Sequence, residues 1–226
     1  MTNILKVPIS LDQGAILENL SVKPGSDAAQ AVADLINIVK NNARPKALYK
    51  DSFIDHRGAD TVTIDGVAFT SRALQVNLKS INRVFPYIVT TGLETSKPGL
   101  KQDDILHKYW LENIDLKLLE YCMHYLREEI QHRFRTGVLS AMNPGSGEQD
   151  IWPIEQQRDL FSLFGGAESE INVTLLPSFL MQPERTTSGI LFPSETRFEN
   201  CQLCKREDCE FRRAPFNPGL WESMQA

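Results

Sequence analysis

Apolar residues recur along this chain with two different periods, and the switches between them mark out its elements. Ser10 is placed to cap a short helix carrying Leu11, Ile16, Leu17 and Leu20, which Lys23-Pro24-Gly25 ends. Ser26 caps a second helix over residues 27–41, with Ala31, Leu35 and Ile38 on one face. The period then shortens. Ala47, Tyr49 and Phe53 sit among polar neighbours, and two β-rich runs, Val62-Thr63-Ile64 and Val67-Ala68-Phe69, flank Asp65-Gly66. A two-residue Asp-Gly connection suits the hairpin turn that needs positive φ at both central positions, so a sheet is predicted from here.

Helical spacing returns after Ser71 with Leu74, Leu78 and Ile81, and residues 87–90 read as a strand. Ser96-Lys97-Pro98-Gly99 breaks the pattern before a long helical region, residues 103–134, expected to be jointed near Asn113. Leu116, Leu119, Met123, Leu126, Ile130 and Phe134 follow at steps of three and four and define its expected core face. His124, Glu128 and His132 form another row, read as a solvated charged face and not as a metal site. Helices interleaved with short strands and a hairpin predict an α+β fold.

Residues 137–192 carry the candidate chemistry. A Pro144-Gly145-Ser146-Gly147 turn, in which glycines let backbone N–H groups approach a ligand, precedes a helix predicted over residues 153–164. Pro153 suits its first turn and Gly165-Gly166 its end, while Ile154, Leu160, Phe161 and Phe164 form its buried stripe. Trp152 is placed to staple the turn or to stack on a ligand. Residues 171–176 and 188–192 are expected as two strands paired with each other. The loop between them carries Glu184 and Arg185, read as exposed charges.

Of four cysteines in 226 residues, Cys201, Cys204 and Cys209 fall in a C-x2-C-x4-C knuckle, a spacing shared by zinc knuckles and iron–sulfur loops. Lys205, Arg206, Arg212 and Arg213 surround it, and positive charge favours thiolate. Metal binding is therefore expected there, with Cys122 as the remaining cysteine and no histidine nearby. The division anticipated is a main domain over residues 1–195 and a knuckle with a C-terminal strap over residues 196–226.

A net charge of −5 gives no general attraction for a phosphate backbone, so nucleic acid is not an expected partner. The N-terminal residues form neither a signal-peptide core nor a membrane span, and a cytoplasmic protein with no membrane partner is expected.

The order and spacing of residues 144–192 resemble the activation domain of cobalamin-dependent methionine synthase. The Pro144-Gly145 turn, the helix after it, and the run from Leu175 through Met181-Gln182-Pro183, Thr186 and Ser188-Gly189 to Phe192 carry the likeness. Free-standing members of that family are similar in having a cysteine cluster near the C-terminus. The resemblance implies an α+β fold around a twisted antiparallel sheet with long packed helices. It also implies S-adenosylmethionine as a ligand and a corrinoid-binding protein or domain, carrying cobalamin, as the partner. Its cofactor-contacting positions would be Glu120, Asn143, Pro144, Gly145, Ser146, Gly147, Ser188 and Gly189. The family's R-x-x-x-G-Y signature is altered, with Ala141 at the arginine and Ser146 at the tyrosine. The function expected is thus an accessory to reductive reactivation or methylation of a corrinoid protein. An iron–sulfur electron carrier and a zinc-stiffened binding module are the alternatives.

Overall fold

The computed structural model describes residues 2–94, 104–147, 151–195, 198–209, 212 and 214–225. The Ser96 to Gly99 break, Asp103, Glu148 and Arg213 lie outside them.

Strand β6 (Arg83–Thr90) is the axis of the fold, since every residue from Val84 to Thr90 is buried. A strand buried on both faces must be apolar throughout, as this one nearly is. On one edge it pairs antiparallel with β2 (Lys46–Lys50), whose outer neighbour is β1 (Thr2–Lys6). Strand β3 (Ser52–Arg57) continues along that edge in the same register, Ser52 opposite Val84 where Tyr49 is opposite Tyr87. Pro86 lies opposite the junction between them, and having no N–H to donate it interrupts the ladder there. From β3 the sheet extends to β4 (Thr61–Ile64) and β5 (Val67–Thr70), joined by Asp65 and Gly66 at φ of 47° and 81° as the hairpin signal required. The other edge of β6 takes β10 (Thr186–Pro193), which in turn pairs with β7 (Leu139–Met142).

Helices α1 (Gln13–Asn19), α2 (Asp27–Asn42) and α4 (Ile105–Phe134) cover one face, packing Val32, Ile36, Ile114 and Leu118 on Tyr49, Phe85, Tyr87 and Val89. Helix α3 (Arg72–Asn77) and the C-terminal segment cover the other, where Leu74, Trp152, Leu160, Phe198 and Leu203 meet Val84, Met142, Ile190 and Phe192. Helix α5 (Gln157–Ser162) adds Phe161 beside Leu48 and Ile88. The alternation of Val84 and Ile88 with Phe85, Tyr87 and Val89 is the two-residue period expressed as two cores.

Four expectations need correction. Helix α4 runs unbroken through Asn113, capped by the Asp104 side chain, and buries Trp110, Leu111, Ile114, Asp115, Leu118, Cys122, Leu126 and Ile130. The neighbouring stripe of Leu119, Met123 and Phe134 is only partly buried, and two adjacent apolar stripes cannot be ranked by periodicity alone. Helix α1 is capped by Asp12, not Ser10. The strands expected to pair with each other do not: β8 (Thr174–Leu175) pairs with β9 (Met181–Gln182), leaving β10 for the main sheet. The last described helix, α6 (Pro218–Gln225), follows the knuckle, and Trp221 lies beneath the Lys205 ammonium at 4.3 Å.

Candidate functional site

Where β7 ends at Met142 the chain turns away, and beyond that point no strand pairs with the outer edge of β10 among the described residues. Asn143 covers part of the exposed edge. Its Nδ2 donates to the Ser188 carbonyl oxygen and to Tyr87 Oη, each at 2.6 Å. Gly189 sits directly beneath this side chain. A Cβ built there would fall inside contact distance of the Met142 carbonyl oxygen and 2.6 Å from Asn143 Nδ2, so this glycine is required by space.

The Pro144 to Gly147 turn follows, held by Gly145 N–H donating to the Trp152 carbonyl at 2.8 Å and Ser146 N–H to that of Asn143 at 3.2 Å. Gly145 has φ of 72°, and a Cβ on it would meet Ile154 at 2.9 Å. Trp152 is the staple: it is fully buried, edge-on to Phe69 at 5.8 Å, and donates Nε1–H to Gln156 Oε1 at 3.3 Å. It is not available to stack on a ligand.

Between this turn, the start of β10 and α5 lies a cleft of about 330 Å³ lined by Asn143, Pro144, Gly145, Ser146, Gln157, Met181, Thr186, Thr187 and Ser188. A second hollow of about 350 Å³ shares Pro144, Gln157, Met181 and Thr186 with it and adds Ile154, Leu176, Phe179, Leu180 and Glu184. Together they form one groove, polar at one end and apolar at the other. Gln157 donates Nε2–H to Ser188 Oγ and, at 3.2 Å, to Met181 Sδ. Thr186 Oγ1 donates to the Pro183 carbonyl at 2.6 Å and lies 2.9 Å from Thr90 Oγ1.

The tertiary structure thus gathers Asn143, Pro144, Gly145, Ser146 and Ser188 into one lining. Gly189 lies behind it, and Gly147 faces the knuckle, with the position of its missing Cβ 3.9 Å from Cys204 Cβ. Glu120 does not join them. It is exposed on α4 and paired with Lys117 at 3.0 Å. Ala141, at the position of the family's arginine, is buried in that helical core. Gln157 and Met181 were not among the expected contacting positions. Gln157 was detectable, being a polar residue in helical register with buried Leu160, Phe161 and Phe164.

The knuckle is organised through its main chain. Arg212 donates from its guanidinium to the carbonyls of Cys201 at 3.2 Å, Cys204 at 3.1 Å and Arg206, and from its N–H to that of Cys209 at 3.0 Å. Among the described residues no group of three His, Cys, Asp or Glu side chains is arranged to hold a metal ion. Cys122 cannot complete a set with the knuckle thiols: it is fully buried in the helical core, and burial, with Asp115 nearby, pushes its thiol up to about 12. His124 and Glu128 pair at 3.3 Å in solvent, as a charged face should.

Asp115 is the unexpected ionisable group. It is fully buried, and neither carboxylate oxygen has a well-formed hydrogen bond. Burial raises its carboxyl to about 6 against the opposing pull of the Thr91 hydroxyl and the Arg185 charge.

No protein-family model matches the chain, and no curated protein matches it. Among solved structures it is similar to the MetH reactivation domain bound to AdoHcy, with a TM-score of 0.59 over 88% of this chain and 81% of that one at 14% identity. At that identity the likeness shows the fold: a mixed α+β domain with an antiparallel sheet and packed helices. No helix among the described residues is long and apolar enough to cross a membrane.

Proposed function

We propose that this protein assists the reductive reactivation of a corrinoid protein, docking its groove over the partner's cobalamin. One observation carries the reading. The two segments that carry the family resemblance, 144–147 and 186–189, are far apart in sequence yet meet at the end of β7 and the open edge of β10, in a chain whose fold is similar to that of the MetH reactivation domain.

The chemistry to be assisted is a one-electron reduction of cobalt(II) to cobalt(I), followed by transfer of a methyl group from a sulfonium donor to cobalt. The cobalt–carbon bond forms as the sulfur–carbon bond breaks, and the thioether leaves. The chain supplies position, since holding reactants in line is where such a domain contributes to rate. The Asn143 bridge and the Gly145 turn fix the walls, the open edge of β10 forms the floor, and Leu180 with Phe179 makes an apolar lip that excludes water. The sulfonium donor is S-adenosylmethionine, delivered in the assembled complex.

The test mixes the protein with a cob(II)alamin protein, S-adenosylmethionine and a low-potential reductant, and follows conversion of the cobalt(II) absorption band to that of methylcobalamin. Acceleration by the protein, lost on replacing Ser146 with Trp to fill the cleft, is expected. No acceleration with any cob(II)alamin protein from the same cell would refute the reading.

A further inference from the structure

The polar end of the groove contains no ionisable side chain, and its two amides are fixed in orientation. A carbonyl oxygen cannot donate, so the end of Asn143 that faces the Ser188 carbonyl must be nitrogen; Asn143 lines the cleft, and its Oδ1 accepts no hydrogen bond among the described residues. A thioether cannot donate either, so Gln157 must turn its nitrogen to Met181, and its Oε1 is buried without a partner. Ser146 and Thr187 add hydroxyls that make no hydrogen bond among the described residues.

We propose that this end of the groove recognises a neutral primary carboxamide and discriminates against a carboxylate, with Asn143 as the residue that sets the preference. An amide NH2 supplies protons to a fixed acceptor, and its carbonyl takes one from Ser146 or Thr187. A carboxylate entering the same space would lose its water with no cation to replace it and would set oxygen against Oδ1. The inference rests on the corrinoid reading above, because a corrin ring carries primary amides around its periphery. The apolar lip of Phe179, Leu180 and Met181 then faces the hydrocarbon of the ring.

Two probes separate the possibilities: dicyanocobinamide, whose ring side chains are amides, and dicyanocobyrinic acid, the same ring bearing carboxylates. Each is titrated into 15N-labelled full-length protein, with S-adenosylhomocysteine in a parallel arm. Cobinamide is expected to shift the amide signals of Gly145, Ser146 and Ser188 and to bind at least about tenfold more tightly than the acid. Ser146→Lys, which places a cation in the half-buried turn, is expected to narrow or reverse that ratio. Equal or tighter binding of the acid by wild-type protein overturns carboxamide recognition while leaving the corrinoid reading intact. Cleft signals that respond to neither ring, or more tightly to S-adenosylhomocysteine, overturn it as well. The reactivation assay, which uses a whole partner protein, reports on the wider reading independently.

Discussion

Replacing Gly189 with alanine tests the architecture of the groove most directly, because one methyl group would disturb three of its parts. The backbone of Gly189 is ordinary strand, in register with Tyr87 on β6, so left-handed strain plays no part. The added Cβ overlaps the Met142 carbonyl oxygen and lies 2.6 Å from Asn143 Nδ2 and 3.1 Å from Tyr87 Oη. The first of these atoms is backbone and cannot rotate away. Overpacking of this kind costs about 1–3 kcal/mol, and the Asn143 bridge, if expelled, loses two hydrogen bonds worth about 1 kcal/mol each. The total of about 3–5 kcal/mol corresponds to a fall in melting temperature of roughly 6–20 °C for a chain of this size. Thermal unfolding followed by circular dichroism measures it, and the Asn143 side-chain NH2 resonances should move in the same variant. A loss under about 0.5 kcal/mol with those resonances unmoved would show that the Asn143 bridge does not lie over this position.

Asp115→Asn should stabilise the protein at pH 7.5 and much less at pH 4.5. With its carboxyl raised from 3.8 to about 6, Asp115 binds a proton more tightly in the folded state, so its ionisation costs stability as pH rises through that interval. A shift of that size is worth about 3 kcal/mol, and urea titrations of both proteins between pH 4.5 and 8 should show the gap opening; a gap independent of pH would refute it. Ala141→Arg, which restores the family's missing charge, should not create tight S-adenosylmethionine binding. It should instead destabilise by several kcal/mol, since it sets an unpaired cation in the helical core, and calorimetry with unfolding curves would test both halves. In a timed alkylation at pH 8 read by mass spectrometry, Cys201, Cys204 and Cys209 should be modified quickly and Cys122 slowly, as its raised thiol pKa and burial require. Fast modification of all four would place Cys122 nearer the surface than α4 does.

Local chemistry made much of this protein legible in its residues. Asp65-Gly66 could be little other than a hairpin turn, Ser26 and Ser71 cap the helices they precede, and the long 3.6-residue periodicity before Phe134 is the helix α4. The turn at Pro144-Gly145 and the start of β10 were recognisable as site-building segments because glycine and proline restrict what a backbone can do. What the residues alone could not decide were choices between near-equal alternatives set by distant partners. Two apolar stripes compete on α4, and only the sheet beneath selects the one containing Asp115 and Cys122. Strand β10 has an equally plausible neighbour nearby in sequence, yet it pairs with β6 about a hundred residues earlier, where both of its faces find cover. Cysteine spacing permits a metal, and what it could not show is that the guanidinium of Arg212 ties the loop together through the carbonyls of Cys201 and Cys204. Glu120 and Ala141 do not line the groove: one is exposed on α4 beside Lys117, and the other is buried in the helical core. Sequence spacing measures distance along a strand or helix, whereas the side of a sheet on which a residue lands depends on register, and register is settled by everything packed on both faces at once.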